Sequence, residues 1–202
     1  MANSTEDGPA GRPLLRNVAL PAVFVGTAVA LGFLLAPVPN VELVTFTIFA
    51  AGGVLGGGRG ALVGALTAAL YSGLNPAGSG VAIPTLFAAQ VIAWALVGAA
   101  GGLTERIYLP LGRGADGLRT ALSGGLGALL TLMYQGAVIV GLALAGMTIG
   151  GSGFAWATWR HDLAAALTAN AFFSLVHVVS NAILFAVLAP RIMPRLRAFG
   201  RG

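Results

Sequence analysis

The sequence predicts an all-α membrane protein, a bundle of about six transmembrane helices with both termini on the cytoplasmic side. Three observations predict it. Hydrophobic residues make up 57% of the 202 residues and charged residues only 8%, with a mean hydropathy of +0.89; a soluble domain needs more charge to cover its surface. The apolar residues fall into runs separated by breaks rich in glycine, proline or arginine. Ten of the 11 basic residues, all arginine, fall on one side of the resulting topology.

Residues 1–13 are polar, carry Glu6 and Asp7, and are expected to form a disordered tail. The transmembrane domain is expected over residues 14–190. Its first span, 18–36, is stopped by Pro37 and Pro39. Asn40 then suits the N-cap of a second helix, 41–55, with Glu42 in its first turn, where a carboxylate complements the helix dipole. The run Gly56-Gly57-Gly58-Arg59-Gly60 is expected to break the chain before a third helix, 61–74, and residues 75–80, beginning Asn75-Pro76, form a loop. The fourth span, 81–103, tolerates Pro84 in its first turn. A charged connection, 104–119, leads to the fifth span, 120–145. A long loop, 146–161, carries Trp156 and Trp159, and Asp162 is the expected N-cap of a sixth span ending near Leu188. Pro190 and a basic tail, 191–202, close the chain.

Six spans put Arg12, Arg16, Arg59, Arg106, Arg113, Arg119, Arg191, Arg195, Arg197 and Arg201 on one side and Arg160 alone on the other. That asymmetry places both termini in the cytoplasm of a multi-pass protein of the plasma (inner) membrane. It also explains the net charge of +5 by the membrane surface, so no nucleic-acid partner is expected.

The absences narrow the chemistry. The chain has no lysine, which removes phosphate-binding GxxxxGK loops and Schiff-base chemistry. It has no cysteine, which removes thiolate nucleophiles and zinc–cysteine sites. With His161 and His177 as the only histidines, no metal site and no cofactor is expected. No carboxylate is expected deep in any span.

Polar side chains inside a bilayer are costly and mark function or helix–helix contact. Asn170, Ser174, His177 and Asn181 share one face of the sixth span, Gln90 and Trp94 one face of the fourth, and the fifth adds Tyr134 and Gln135. At about 1.5 Å per residue, Gln90 and Asn170 lie roughly 12–14 Å from the outer helix ends, and Tyr134 and Gln135 roughly 15–18 Å. These side chains are expected to converge on a small molecule in the outer half, with Glu42, Asn75 and Trp159 contributed by the outer loops. The alternative is that the amides and His177 only hold helices together, and that Trp156 and Trp159 are interfacial belt residues. Ala22, Gly26 and Ala30 form a smooth stripe on the first helix, and Ala61, Gly64, Ala65, Ala68 and Ala69 another on the third, both suited to close helix packing.

Residues 39–45 with Asn40 and Glu42, the glycine-rich turn with Arg59 leading into 60–69, Asn75-Pro76, Ala88-Ala89-Gln90-Val91 and the glycines of 98–102 together resemble the substrate-binding S components of energy-coupling-factor (ECF) vitamin transporters. The resemblance covers residues 18–188. It implies a non-enzymatic subunit that captures a vitamin or related micronutrient from the outer side. It further implies docking on a transmembrane coupling protein driven by two ATPase subunits, through an AxxxA surface matched here by Ala22, Gly26 and Ala30, with glycine at one place where the family often has alanine. The family binds its ligand mainly with helices four to six and the outer loops.

Two other functions compete. A structural or scaffolding polytopic protein of cell-envelope assembly would use the small-residue faces for a protein partner and need no ligand. An intramembrane enzyme would have only Arg160, His161 and Asp162 for acid–base work, and three adjacent residues on a helix point in different directions.

Overall fold

The computed structural model describes residues 15–38, 42–74, 80–104, 114–149 and 156–201. Among these residues there are six α-helices and no strand. In chain order they are α1 (Leu20–Leu35), α2 (Val44–Leu55), α3 (Gly57–Leu74), α4 (Pro84–Gly101), α5 (Asp116–Ile149) and α6 (Trp156–Arg201). Successive helices alternate in direction. The start of α1, the α2–α3 junction, the end of α4, the start of α5 and the end of α6 therefore share one end of the bundle, called here the near end. Arg59, Arg119, Arg191 and Arg195 lie there, and Arg160 lies at the far end.

Four stretches are long and apolar enough to cross a bilayer: Asn17–Leu35, Pro84–Gly101, Asp116–Gly146 and Thr158–Leu196. The chain is thus an all-α membrane bundle. The second helix plays a different part. Its 12 residues reach only about 18 Å, short of a hydrocarbon core of about 30 Å. Every residue of α2 except Gly53 and Val54 is buried. It is apolar all round because it is wrapped all round. Phe46 and Phe49 pack on Phe185 of α6 at ring-centroid distances of 5.3 and 5.2 Å, and Gly53 faces Met193.

Lipid tails are as apolar as leucine, so burial alone does not select these neighbours; close packing does. The backbones of α2, α3 and α4 touch where side chains are missing. A Cβ at Gly98 would overlap the Gly60 carbonyl, and one at Gly52 would overlap the Gly98 carbonyl. The small face expected on the third helix serves this contact: Gly64 and Ala68 are buried, with Gly64 against the Trp94 backbone.

Several boundaries differ from the sequence expectation. The glycine-rich run is not a loop: only Gly56, at φ 90°, leaves the helical region, and α3 resumes at Gly57. Arg59 fixes that corner by donating to the Leu55 carbonyl at 3.2 Å and to Asn17 Oδ1 at 2.6 Å. The second helix starts at Val44 rather than 41, and Asn40 lies outside the described residues. Asp162 is not an N-cap, because α6 begins at Trp156 and Asp162 sits in its second turn beside His161. The basic tail is not a separate segment. The last helix continues through Pro190 and Pro194 to Arg201 because Met193 is buried and Ile192 and Leu196 pack on the core. These contacts outweigh the backbone hydrogen bonds that proline deletes.

Candidate functional site

A polar and aromatic cluster draws on all six helices. From α1 comes Phe33, stacked on Tyr71 of α3 at 5.1 Å. Tyr71 meets Trp94 of α4 at 5.8 Å, Trp94 stacks on Tyr134 of α5 at 5.5 Å, and Tyr134 meets His177 of α6 edge-on at 6.1 Å. The chain of rings ends on a carboxylate. The Nε2 of His177 lies 3.0 Å from Glu42 Oε1, and the Thr45 hydroxyl in the first turn of α2 donates to the same oxygen at 2.7 Å. An ionised carboxylate only accepts, so this contact requires the tautomer in which Nε2–H donates. Above this contact, Gln90 accepts from the Ser72 hydroxyl at 2.7 Å and also reaches Tyr134.

Helix lengths explain why these groups meet. Phe33, Thr45 and Tyr71 sit at the far ends of α1, α2 and α3. The other three helices run on past the cluster: α4 by roughly 15 Å beyond Trp94, α5 by roughly 22 Å beyond Tyr134, and α6 by roughly 31 Å beyond His177. The cluster thus lies at a step in the bundle, here called the cup, past which α4, α5 and α6 continue while α1, α2 and α3 end. Glu42 precedes α2 in sequence, yet α2 starts inside the bundle, and its carboxylate is only 20% exposed beside a His177 that is 6% exposed. Both hydrogen bonds to the Glu42 carboxylate fall on Oε1, and Oε2 accepts none among the described residues. Tyr71 and Tyr134 both lie within electrostatic reach of Glu42.

Of the residues singled out by sequence, Glu42, Gln90, Trp94, Tyr134 and His177 come together. Glu42 does so as an interior group, not as a loop residue complementing a helix dipole. The others do not join them. Gln135 turns about 100° round α5 from Tyr134 and lines a groove of about 570 Å³ between α5 and α6, opposite Thr168 and Ser174. Asn170 donates to the Ala166 carbonyl of its own helix at 2.8 Å. Trp159 lies in the first turn of α6, roughly 27 Å along the helix from His177. Asn75 lies outside the described residues. Sequence reasoning missed Phe33, Thr45, Tyr71 and Ser72. Tyr71 and Ser72 carried a usable signal, as the tyrosine and serine in the last turn of an otherwise small and aliphatic helix.

Polar groups without partners surround the cluster. Trp94 Nε1, Ser174 Oγ and both amide atoms of Asn181 are buried with no hydrogen-bond partner among the described residues. Asn181 lies one turn along α6 from His177 and is fully buried. On the outside of the bundle, Ala22, Gly26 and Ala30 are all exposed, while Pro21, Val25, Ala28 and Gly32 face inward. A Cβ added at Gly26 would meet nothing within 4 Å. Among the described residues, no group of three or more His, Asp or Glu side chains is arranged to hold a metal ion.

No protein-family model matches this chain, and no curated protein or solved structure matches it either.

Proposed function

We propose that the chain is the membrane-embedded substrate-binding subunit of an ATP-driven, ECF-type micronutrient uptake transporter of the plasma membrane. The observation that carries this reading is the cluster: five residues from the sequence reading meet where α1, α2 and α3 end, and three helices continue past them. Hydrogen-bonding groups set among aromatic rings are what small-molecule capture requires. The arginines at the near end support a cytoplasmic near end by the positive-inside tendency, and with it a far end that faces outward. Capture there is non-catalytic, and the subunit relies on other chains for energy. The exposed small stripe of α1 suits a coupling protein, since an unbranched surface lets a partner helix approach closely.

The test is gentle detergent extraction of the tagged full chain from its native membranes, with co-purifying proteins identified by mass spectrometry. Recovery of a membrane coupling protein with two ATPase subunits is expected. Recovery of envelope-assembly proteins with no ATPase above background would replace this reading with the scaffold.

A further inference from the structure

We propose that the ligand of the cup carries a cationic nitrogen beside an aromatic ring, and that Glu42 Oε2 is its counter-ion. The inference deepens the reading of the chain as a small-molecule-binding subunit and rests on it.

Three observations point to a cation. First, Glu42 is the sole acidic side chain inside the bundle among the described residues. The described Asp116 and Asp162 lie near helix ends, and the described arginines lie at the two ends of the bundle, with none near the cluster. A carboxylate out of water needs compensation, and the nearest protein group able to supply it, His177, already spends its Nε2 on Oε1. Second, the carboxylate is used unevenly. Thr45 and His177 hold Oε1 and so fix the group's orientation, leaving Oε2 for an incoming donor. The exposure of Glu42, 20% against 6% for His177, makes it the more accessible member of the pair. Third, the neighbouring groups are π systems. Aromatic faces carry negative potential, which attracts a cation and repels an anion. The Tyr71, Trp94 and Tyr134 rings form a continuous series ending at His177, and both tyrosines lie within electrostatic reach of Glu42. A carboxylate and aromatic faces together recognise a nitrogen cation attached to a flat ring.

The experiment uses the purified full chain in lipid nanodiscs and three probes of similar size: benzyltrimethylammonium, benzyl alcohol and phenylacetate. Binding is read by quenching of tryptophan fluorescence, which Trp94 reports. Saturable binding of benzyltrimethylammonium, with no saturable binding of the other two, is expected. Glu42→Gln should weaken it at least tenfold. Glu42→Asp should retain the preference for the cation, which separates loss of charge from loss of fold. Asp162→Asn, at the far end, should leave binding unchanged. Phenylacetate or benzyl alcohol binding as well as the cation would overturn the proposal, as would unaltered cation binding in Glu42→Gln or no saturable binding of the cation to the wild-type chain. If coupling protein and ATPases co-purify but the cation does not bind, the transporter reading stands and the ligand class falls. If the cation binds but no ATPase co-purifies, the site stands and the transporter reading falls.

Discussion

The contact between Glu42 and His177 can be weighed by a double-mutant cycle in the ligand-free chain. Replacing His177 by leucine leaves a carboxylate that is 20% exposed with the Thr45 hydroxyl as its remaining donor. A hydrogen bond to a charged group contributes about 1.5–3 kcal/mol, and stranding a buried charge costs more. The partial exposure of Glu42 moves the expected loss to about 2 kcal/mol. Replacing Glu42 by leucine leaves a nearly buried imidazole N–H unsatisfied, a loss of about 1–3 kcal/mol. The double variant strands neither group, and two apolar side chains in place of a buried polar pair are nearly neutral. The two single losses should therefore sum to about 4 kcal/mol while the double loses much less, giving a coupling of about 2 kcal/mol or more. The assay is equilibrium unfolding in mixed micelles by SDS titration, followed by tryptophan fluorescence, since Trp94 stacks on the Tyr134 ring that adjoins His177. Losses that add to within about 0.5 kcal/mol would show that the two groups do not interact and would refute the account of the cluster.

Four further outcomes follow from the packing. Gly98→Ala should cost about 1–3 kcal/mol or more in the same unfolding assay, because its Cβ meets the Gly60 backbone and no side chain can move aside. Gly26→Leu should leave stability unchanged, since nothing in the bundle lies within 4 Å of the new Cβ, yet abolish co-purification of a coupling protein. Met193→Ala should destabilise by about 2–5 kcal/mol through the cavity left beside Gly53, whereas a dispensable tail would show no effect. Asn181→Leu should raise the thermal unfolding midpoint, because it replaces an amide with two unpartnered atoms by an apolar group of similar size, each orphaned group costing about 1–3 kcal/mol. A fall in midpoint would mean that the amide is satisfied in the folded protein.

The helices were legible because apolar runs of bilayer length have few other solutions, and the shared level of Gln90 and Tyr134 was legible from depth counting along helices that start near one level. That assumption failed for α1, α2 and α3, whose far ends stop at the cluster. Glu42 accordingly read as a surface residue near a helix start, when its helix starts inside the bundle. Asn170 shares a helical face with His177 and was expected to share its site. Periodicity reports direction around a helix and says nothing of which neighbour an amide finds, and Asn170 finds the carbonyl one turn back. Gly58 and Gly60 read as a break because glycine is a poor helix former in water. Inside the bundle, backbone contact at Gly60 outweighs that preference. Pro190 read as a stop because proline removes a backbone donor and crowds the preceding turn, and the burial of Met193 beyond it overrides that.

The burial of α2 also constrains how the protein is made. A helix of 12 residues is too short to hold itself across a bilayer, so it must enter together with α3 as a hairpin turned at Gly56. Its covering is finished only by α6: Phe185 closes over Phe46 and Phe49, His177 reaches Glu42, and Met193 reaches Gly53. Until residue 193 has been inserted, the centre of the bundle stays unfinished, and Glu42 waits without its imidazole. The centre of the bundle is therefore completed only after the other five helices, and a chain lacking α6 would lose the central helix's packing together with His177.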